Sequence, residues 1–221
     1  MSALDVELER LLYKRSYRRA FDQGELAALD RGVLERLAER IAREVLARTH
    51  AGSGSLLDVY PETIGAWSGT LLELSYQFLE SSPFDRYREL PFAGAGTALE
   101  HAFFEFAEQL ELGDPVLRER EFLAAMIKVL LLSPRAEIVI PDSIRRVPGG
   151  FFAVSQRGEP TLYAALGGRF VKGALTPFLA ELLAPGARGA AVAARHGVAK
   201  PVLEQALAQL SALGLASRLE Y

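Results

Sequence analysis

The chain has three histidines and no cysteine, so thiolate metal sites, cysteine nucleophiles and disulfides are excluded. His50, His101 and His196 fall in separate segments with no HxxxH pair among them. Glu105 stands four residues after His101, which puts both on one helix face and offers two metal ligands. Two are too few, and ordinary surface or core histidines are expected. The 28 Asp/Glu are plentiful, yet many stand three or four residues from an arginine, as in Glu7–Arg10 and Glu39–Arg43. That is the spacing of a salt-bridged, solvated helix face rather than of an acid/base pair. No GxSxG, P-loop or dinucleotide fingerprint occurs, and "GGRFVKG" and "PFAGAG" lack the strand-to-helix setting that phosphate binding needs. Lys14, Arg15, Arg18 and Arg19 cluster on the first helix, with 15, 18 and 19 on one face. They could grip phosphate or an acidic partner, but a solvated face is the expectation. No catalytic residue, no metal site and no cofactor are therefore expected in this chain.

The elements that would position these residues divide into a helical front and a mixed back. Ala3 to Gln23 carries Tyr13, Tyr17 and Phe21 at helical spacing, and Asp30 to Thr49 repeats the pattern through Leu34, Leu37, Ile41 and Val45. A polar, Gly-rich loop follows. Leu56 to Trp67 begins a third helical region with a Tyr60-Pro61 step, Leu71 to Leu79 continues it, and Ser81-Ser82-Pro83 breaks it. Phe84 to Leu90 is a short helix. Thr97 is read as the cap of a helix through Leu110, and Asp114-Pro115 opens another to Leu132. "AEIVIPDSIRRVPGG" reads as an extended linker. Strands are expected at Phe151 to Gln156, Thr161 to Leu166 and Arg169 to Lys172, the last two joined by a Gly167-Gly168 hairpin turn. Helices then follow at Thr176 to Leu183, Arg188 to His196 and Pro201 to Leu213. The expected organisation is a helical bundle over 1–134, a linker over 135–150 and a second domain over 151–221.

Half of the 221 residues are apolar and 24% charged, the balance of a globular protein with a real core. The opening residues have no apolar run before their charges, and Val129 to Leu132 is too short to span a bilayer. A cytoplasmic protein without membrane association is expected. Charge is uneven: residues 1–140 hold 16 Lys/Arg against 23 Asp/Glu, and the rest hold 9 against 5. An acidic front and a mildly basic back suit two units with different partners.

The last segment, "ARHGVAKPVLEQALAQLSALGLAS", has the grammar of a helix-turn-helix, and with three strands before it spells a winged-helix-like fold. A helix that reads DNA presents Arg, Lys, Asn or Gln to base edges. Here the last helix offers only Gln205 and Gln209, beside Glu204, with Arg188, Arg195 and Lys200 for phosphate. A second use of the scaffold needs no basic helix: an extended peptide adds a strand to the edge Arg169 to Lys172, beside a helix made smooth by Ala206, Ala208 and Ala212. Arg169 and Lys172 would favour an acidic peptide. A short, Lys-blunted edge is also what simple protection against aggregation looks like.

"GGRFVKGALTPFLAELLAPGARGAAVAARHGVAKPVLEQALAQLSALGLAS" resembles the PqqD-like recognition domain of ribosomal-peptide biosynthesis. The resemblance covers roughly residues 150 to 220. It implies three strands and three helices, with a leader peptide docking between the third strand and third helix. By position those are Arg169, Phe170, Val171 and Lys172, and Val202, Gln205, Ala206 and Gln209 within the segment Val202 to Gln209. "LLDVYPETIGAWSGTLLELSYQFLESSPFDRYRELPF" is similar to the helical domain of HvfC/BufC-type proteins, through Tyr60-Pro61, Tyr76, Phe78-Leu79, Pro83 and Leu90-Pro91. Members of that family partner multinuclear iron-dependent oxidases that modify precursor peptides, so the iron would sit in the partner. The helix pair over residues 3 to 49 departs from that pattern. The expected fold is α+β and mostly α, a helical bundle plus a winged-helix-like domain. The expected function is non-catalytic: binding a precursor (leader) peptide and presenting it to a metal-dependent modifying enzyme in a heterodimer. The alternative is a winged-helix transcriptional regulator that binds DNA; an enzyme with a site invisible to motif reading is a further rival.

Overall fold

The computed structural model describes residues 31–49, 54–89, 96–132 and 138–215. The expected first helix, the Lys14–Arg19 cluster, His50 and Leu90-Pro91 lie outside them. The fold is mixed α+β. Its contacts divide the chain into two compact units, one of residues up to Arg118 with Arg135–Val139, the other of Glu119–Pro134 with Ile140 onward. The expected divide was at residue 134.

The first unit is helical: α1 (Arg31–Val45), α2 (Leu56–Val59), α3 (Pro61–Gly65), α4 (Leu71–Leu79), α5 (Ser82–Glu89), α6 (Leu99–Gln109) and the first turn of α7 (Pro115–Leu132). Local chemistry starts these helices. Thr70 Oγ1 accepts the Glu73 N–H at 3.2 Å while Glu73 accepts the Thr70 N–H at 2.7 Å, a reciprocal box that satisfies two orphan donors. Ser55 and Asp58 do the same for α2. The Tyr60-Pro61 step separates α2 from α3, since Pro61 occupies a first turn where its missing N–H costs nothing. Tyr60 is fully buried, donates to the Glu100 carbonyl at 2.8 Å and lies 5.0 Å from the Phe103 ring. Phe78 extends the cluster to Phe84, Phe103 and Phe106 at 4.9–5.2 Å, separations at which aromatic edges and faces attract. Thr97 does not cap α6; Ala98 holds that position without a side-chain bond. Asp114 does open α7, its Oδ1 accepting the N–H of Val116 and Leu117.

The second unit is built on a four-stranded antiparallel meander, β1 (Arg145–Val147), β2 (Gly150–Val154), β3 (Thr161–Leu166) and β4 (Arg169–Ala174), in the order β1-β2-β3-β4. Three strands were expected; the extra one, β1, comes from the range read as linker. Strand alternation sorts the side chains to two faces. Phe152, Leu162 and Ala164 pack with Leu182, Val192, Leu203 and Leu210 of α8 (Pro177–Leu182), α9 (Gly189–Arg195) and α10 (Lys200–Ala212). Ala153, Tyr163 and Ala165 point the other way and are also buried. There the later turns of α7 make the contacts. Glu119 accepts the N–H of Gln156 and of Arg157 at 2.8–3.1 Å, and the Lys128 ammonium lies 5.6 Å from the Phe170 ring centre. The sheet of this unit is thus packed on both faces.

Candidate functional site

Two backbone bonds fix the hydrogen-bond parity of the meander. Ser155 N–H donates to the Thr161 carbonyl at 3.0 Å, and Leu175 N–H donates to the Pro160 carbonyl at 2.8 Å. In an antiparallel ladder the backbone groups of successive residues point to opposite neighbours. On β3, residues 161, 163 and 165 therefore serve β2, and 162, 164 and 166 serve β4. Through the pairs Leu166↔Arg169, Ala164↔Val171 and Leu162↔Gly173, the polar groups of residues 169, 171 and 173 are used inside the sheet. Those of Phe170, Lys172 and Ala174 project from its outer edge, where no further strand pairs among the described residues. The Gly167-Gly168 turn sets this register. Its φ values of 53° and 76° are those of a tight hairpin turn that glycine adopts without strain.

The four β4 residues expected at the site are contiguous on this edge, but alternation splits them. Arg169 and Val171 lie on the face of α8–α10, Phe170 and Lys172 on the face of α7. Val171 is 40% exposed although it shares a face with the core residue Ala164, and a Cβ at Gly173 would meet nothing within 4 Å. The three helices therefore stop short of β4, leaving a step beside its exposed edge. On the other face Lys172 lies over the Tyr163 ring at 5.4 Å and Lys128 over Phe170, both within cation–π range.

Of the α10 residues expected to complete the site, Val202, Gln205 and Gln209 are exposed along one stripe. Ala206 is not available: it is 8% exposed and belongs to the core with Leu203 and Leu210, because positions 203, 206 and 210 form the inward face. The last turn of α10 abuts the β1–β2 turn, a Cβ on Gly149 falling 3.5 Å from the Leu213 carbonyl. Gly167 N–H in turn bonds the Gly149 carbonyl at 3.2 Å. The C-terminal end of α10 and the start of β4 thus share one end of the unit. A separate apolar groove of about 350 Å³ runs between α9 and α10, lined by Ala190, Ala193, Ala194, Val198 and Leu207 among others; none of the expected residues lines it.

Elsewhere several titratable side chains lie beside a group of opposite type. His101 Nε2 is 3.7 Å from Glu105, whose other oxygen accepts from Arg86 at 2.6 Å. Burial lowers the His101 pKa, with the Glu105 charge opposing. Among the described residues no group of three ligand-type side chains could hold a metal. His196 and Arg195 converge on Glu181, which links α8 to the end of α9. Lys200 pairs with Glu204 at 3.7 Å on α10, so that helix shows little unpaired positive charge. Among the described residues no helix is long and apolar enough to cross a membrane.

No family model, no curated protein and no solved structure matches the chain. The site's meaning rests on its geometry.

Proposed function

We propose that the second unit is a winged-helix-like peptide-recognition module. It binds an extended precursor peptide by strand addition at β4, and the chain presents that peptide to a metal-dependent modifying enzyme. The observation that carries this reading is the open edge at Phe170, Lys172 and Ala174, beside the uncovered Val171 and Gly173. Main-chain donors and acceptors would hold the peptide whatever its sequence, and the step next to Val171 would accept alternate side chains. The resemblances to PqqD-like and HvfC/BufC-type proteins point the same way. The chain itself contributes no chemistry in this account; the partner enzyme supplies the metal.

Selection of displayed ten-residue peptides against the full chain tests it. Phe170→Pro deletes an outward N–H and leaves the β3–β4 ladder its bonds, so selected peptides should lose at least about tenfold in affinity. Phe170→Ala, which removes the ring but keeps the N–H, should cost far less. Peptides indifferent to the proline would refute strand addition. The DNA-reading alternative rests on the turn between α9 and α10 at Gly197 (φ 61°). It requires tight duplex binding with a steep salt dependence.

A further inference from the structure

Some cations of the second unit have an evident partner. Arg145 donates to the Leu183 carbonyl, Arg195 pairs with Glu181, and Lys200 with Glu204. Arg169, Lys172 and Lys128, like Arg146 and Arg188, pair with no carboxylate among the described residues, and what sets these three apart is that they surround the open edge. Lys172 is on the edge strand itself. Lys128 comes from α7, more than forty residues earlier, and reaches the same sheet face over Phe170. Both ammonium groups rest on aromatic rings, Lys128 on Phe170 and Lys172 on Tyr163. That contact orders a cation and leaves its charge uncompensated. On the opposite face the strand presents Val171 and the open space at Gly173.

A strand added at β4 continues the alternation of the sheet, so its side chains fall in turn on these two faces whichever way it runs. Given the strand-addition reading, on which this rests, we infer that the bound peptide carries acidic side chains at alternate positions, received by Lys128 and Lys172, with apolar side chains between them against Val171. A second copy of the chain fits poorly as occupant. Pairing β4 antiparallel with β4 would gather Lys128 and Lys172 of both copies on one face of the joined sheet, and like charges across strands repel. A nucleic acid fits poorly too, since every second side chain on this edge would face an apolar step rather than a phosphate.

The test uses the full chain and two synthetic ten-residue probes, one alternating glutamate with valine and one alternating lysine with valine. Fluorescence anisotropy should show the glutamate peptide binding and the lysine peptide bound at least about tenfold more weakly. Lys128→Glu with Lys172→Glu should weaken the glutamate peptide on the order of tenfold or more and restore binding of the lysine peptide. Lys128→Gln with Lys172→Gln should bring the two probes closer together, and circular dichroism of each variant checks that the fold is retained. Equal affinity of the two probes for the native chain would overturn the inference. So would unchanged preference in the charge-reversed variant. Sensitivity to Phe170→Pro without charge preference would overturn this inference alone, leaving strand addition standing. Insensitivity to the proline would bring down both. Competition by duplex DNA with a steep salt slope, without glutamate-peptide binding, would assign the same cations to phosphate and sink the proposal.

Discussion

At position 150 an added methyl group has nowhere to go. Gly150 sits at φ 141° and a Cβ there would lie 1.9 Å from the Ala165 carbonyl oxygen. The obstacle is backbone in the neighbouring strand, which cannot swing aside. Gly150→Ala should therefore cost about 3 kcal/mol or more, read as a fall in the urea midpoint; an unchanged midpoint would contradict the packing described for β2 and β3. Glu181 offers a gentler test. Hydrogen bonds from His196 first, then Arg195, hold its carboxyl below the ordinary value of 4.5. A depressed carboxylate stabilises the fold fully above its unfolded pKa, and that stabilisation goes as pH falls through the folded one. Urea midpoints of the native chain and Glu181→Gln should thus differ near neutral pH and converge as the pH falls through and below the ordinary carboxylate range. A gap that stays constant down to about pH 3 would show that the pair between α8 and α9 is not felt by the fold.

At the scale of elements, the β4 edge is defined by parity rather than by side chains. Proline is tolerated where the N–H points away from the ladder and disruptive where it points in. Val171→Pro should lower thermal stability sharply, since residue 171 pairs with Ala164 inside the sheet. Phe170→Pro should leave the chain folded; the opposite ordering of the two variants would mean the parity is reversed. Much of this was legible in the sequence. Leu71–Leu79 and Thr161–Leu166 fell where expected because strong punctuation bounds them, the Thr70–Glu73 box and Ser81 for one, Pro160 and the glycine turn for the other. β1 was missed because three residues, RRV, between proline-containing turns carry no alternation to read. Thr97 has the residue type of a cap, yet the helix begins one residue later, with Ala98 at the capping position.

At the scale of the whole molecule, the chain has an acidic front and a mildly basic back, but the sequence could not say where the positive charge would gather. Lys128 lies on a helix that pattern reading assigned to the bundle, and nothing in its spacing links it to β4. Only folding brings it over Phe170. Ala206 shows the converse: its smallness suited a groove wall, and helix periodicity with Leu203 and Leu210 turned it into the core instead. What remains of the expected site is the edge strand Arg169 to Lys172 and the exposed stripe Val202, Gln205 and Gln209. Strand addition at that edge makes a claim about individual amides. Residue-resolved hydrogen exchange on the full chain, with and without the alternating glutamate–valine peptide, tests it most directly. The amides of Phe170, Lys172 and Ala174 should gain protection on binding, while those of Arg169, Val171 and Gly173, already paired, change little. Protection that appears instead along α10, or in the α9–α10 groove, with the β4 amides unchanged, would contradict it.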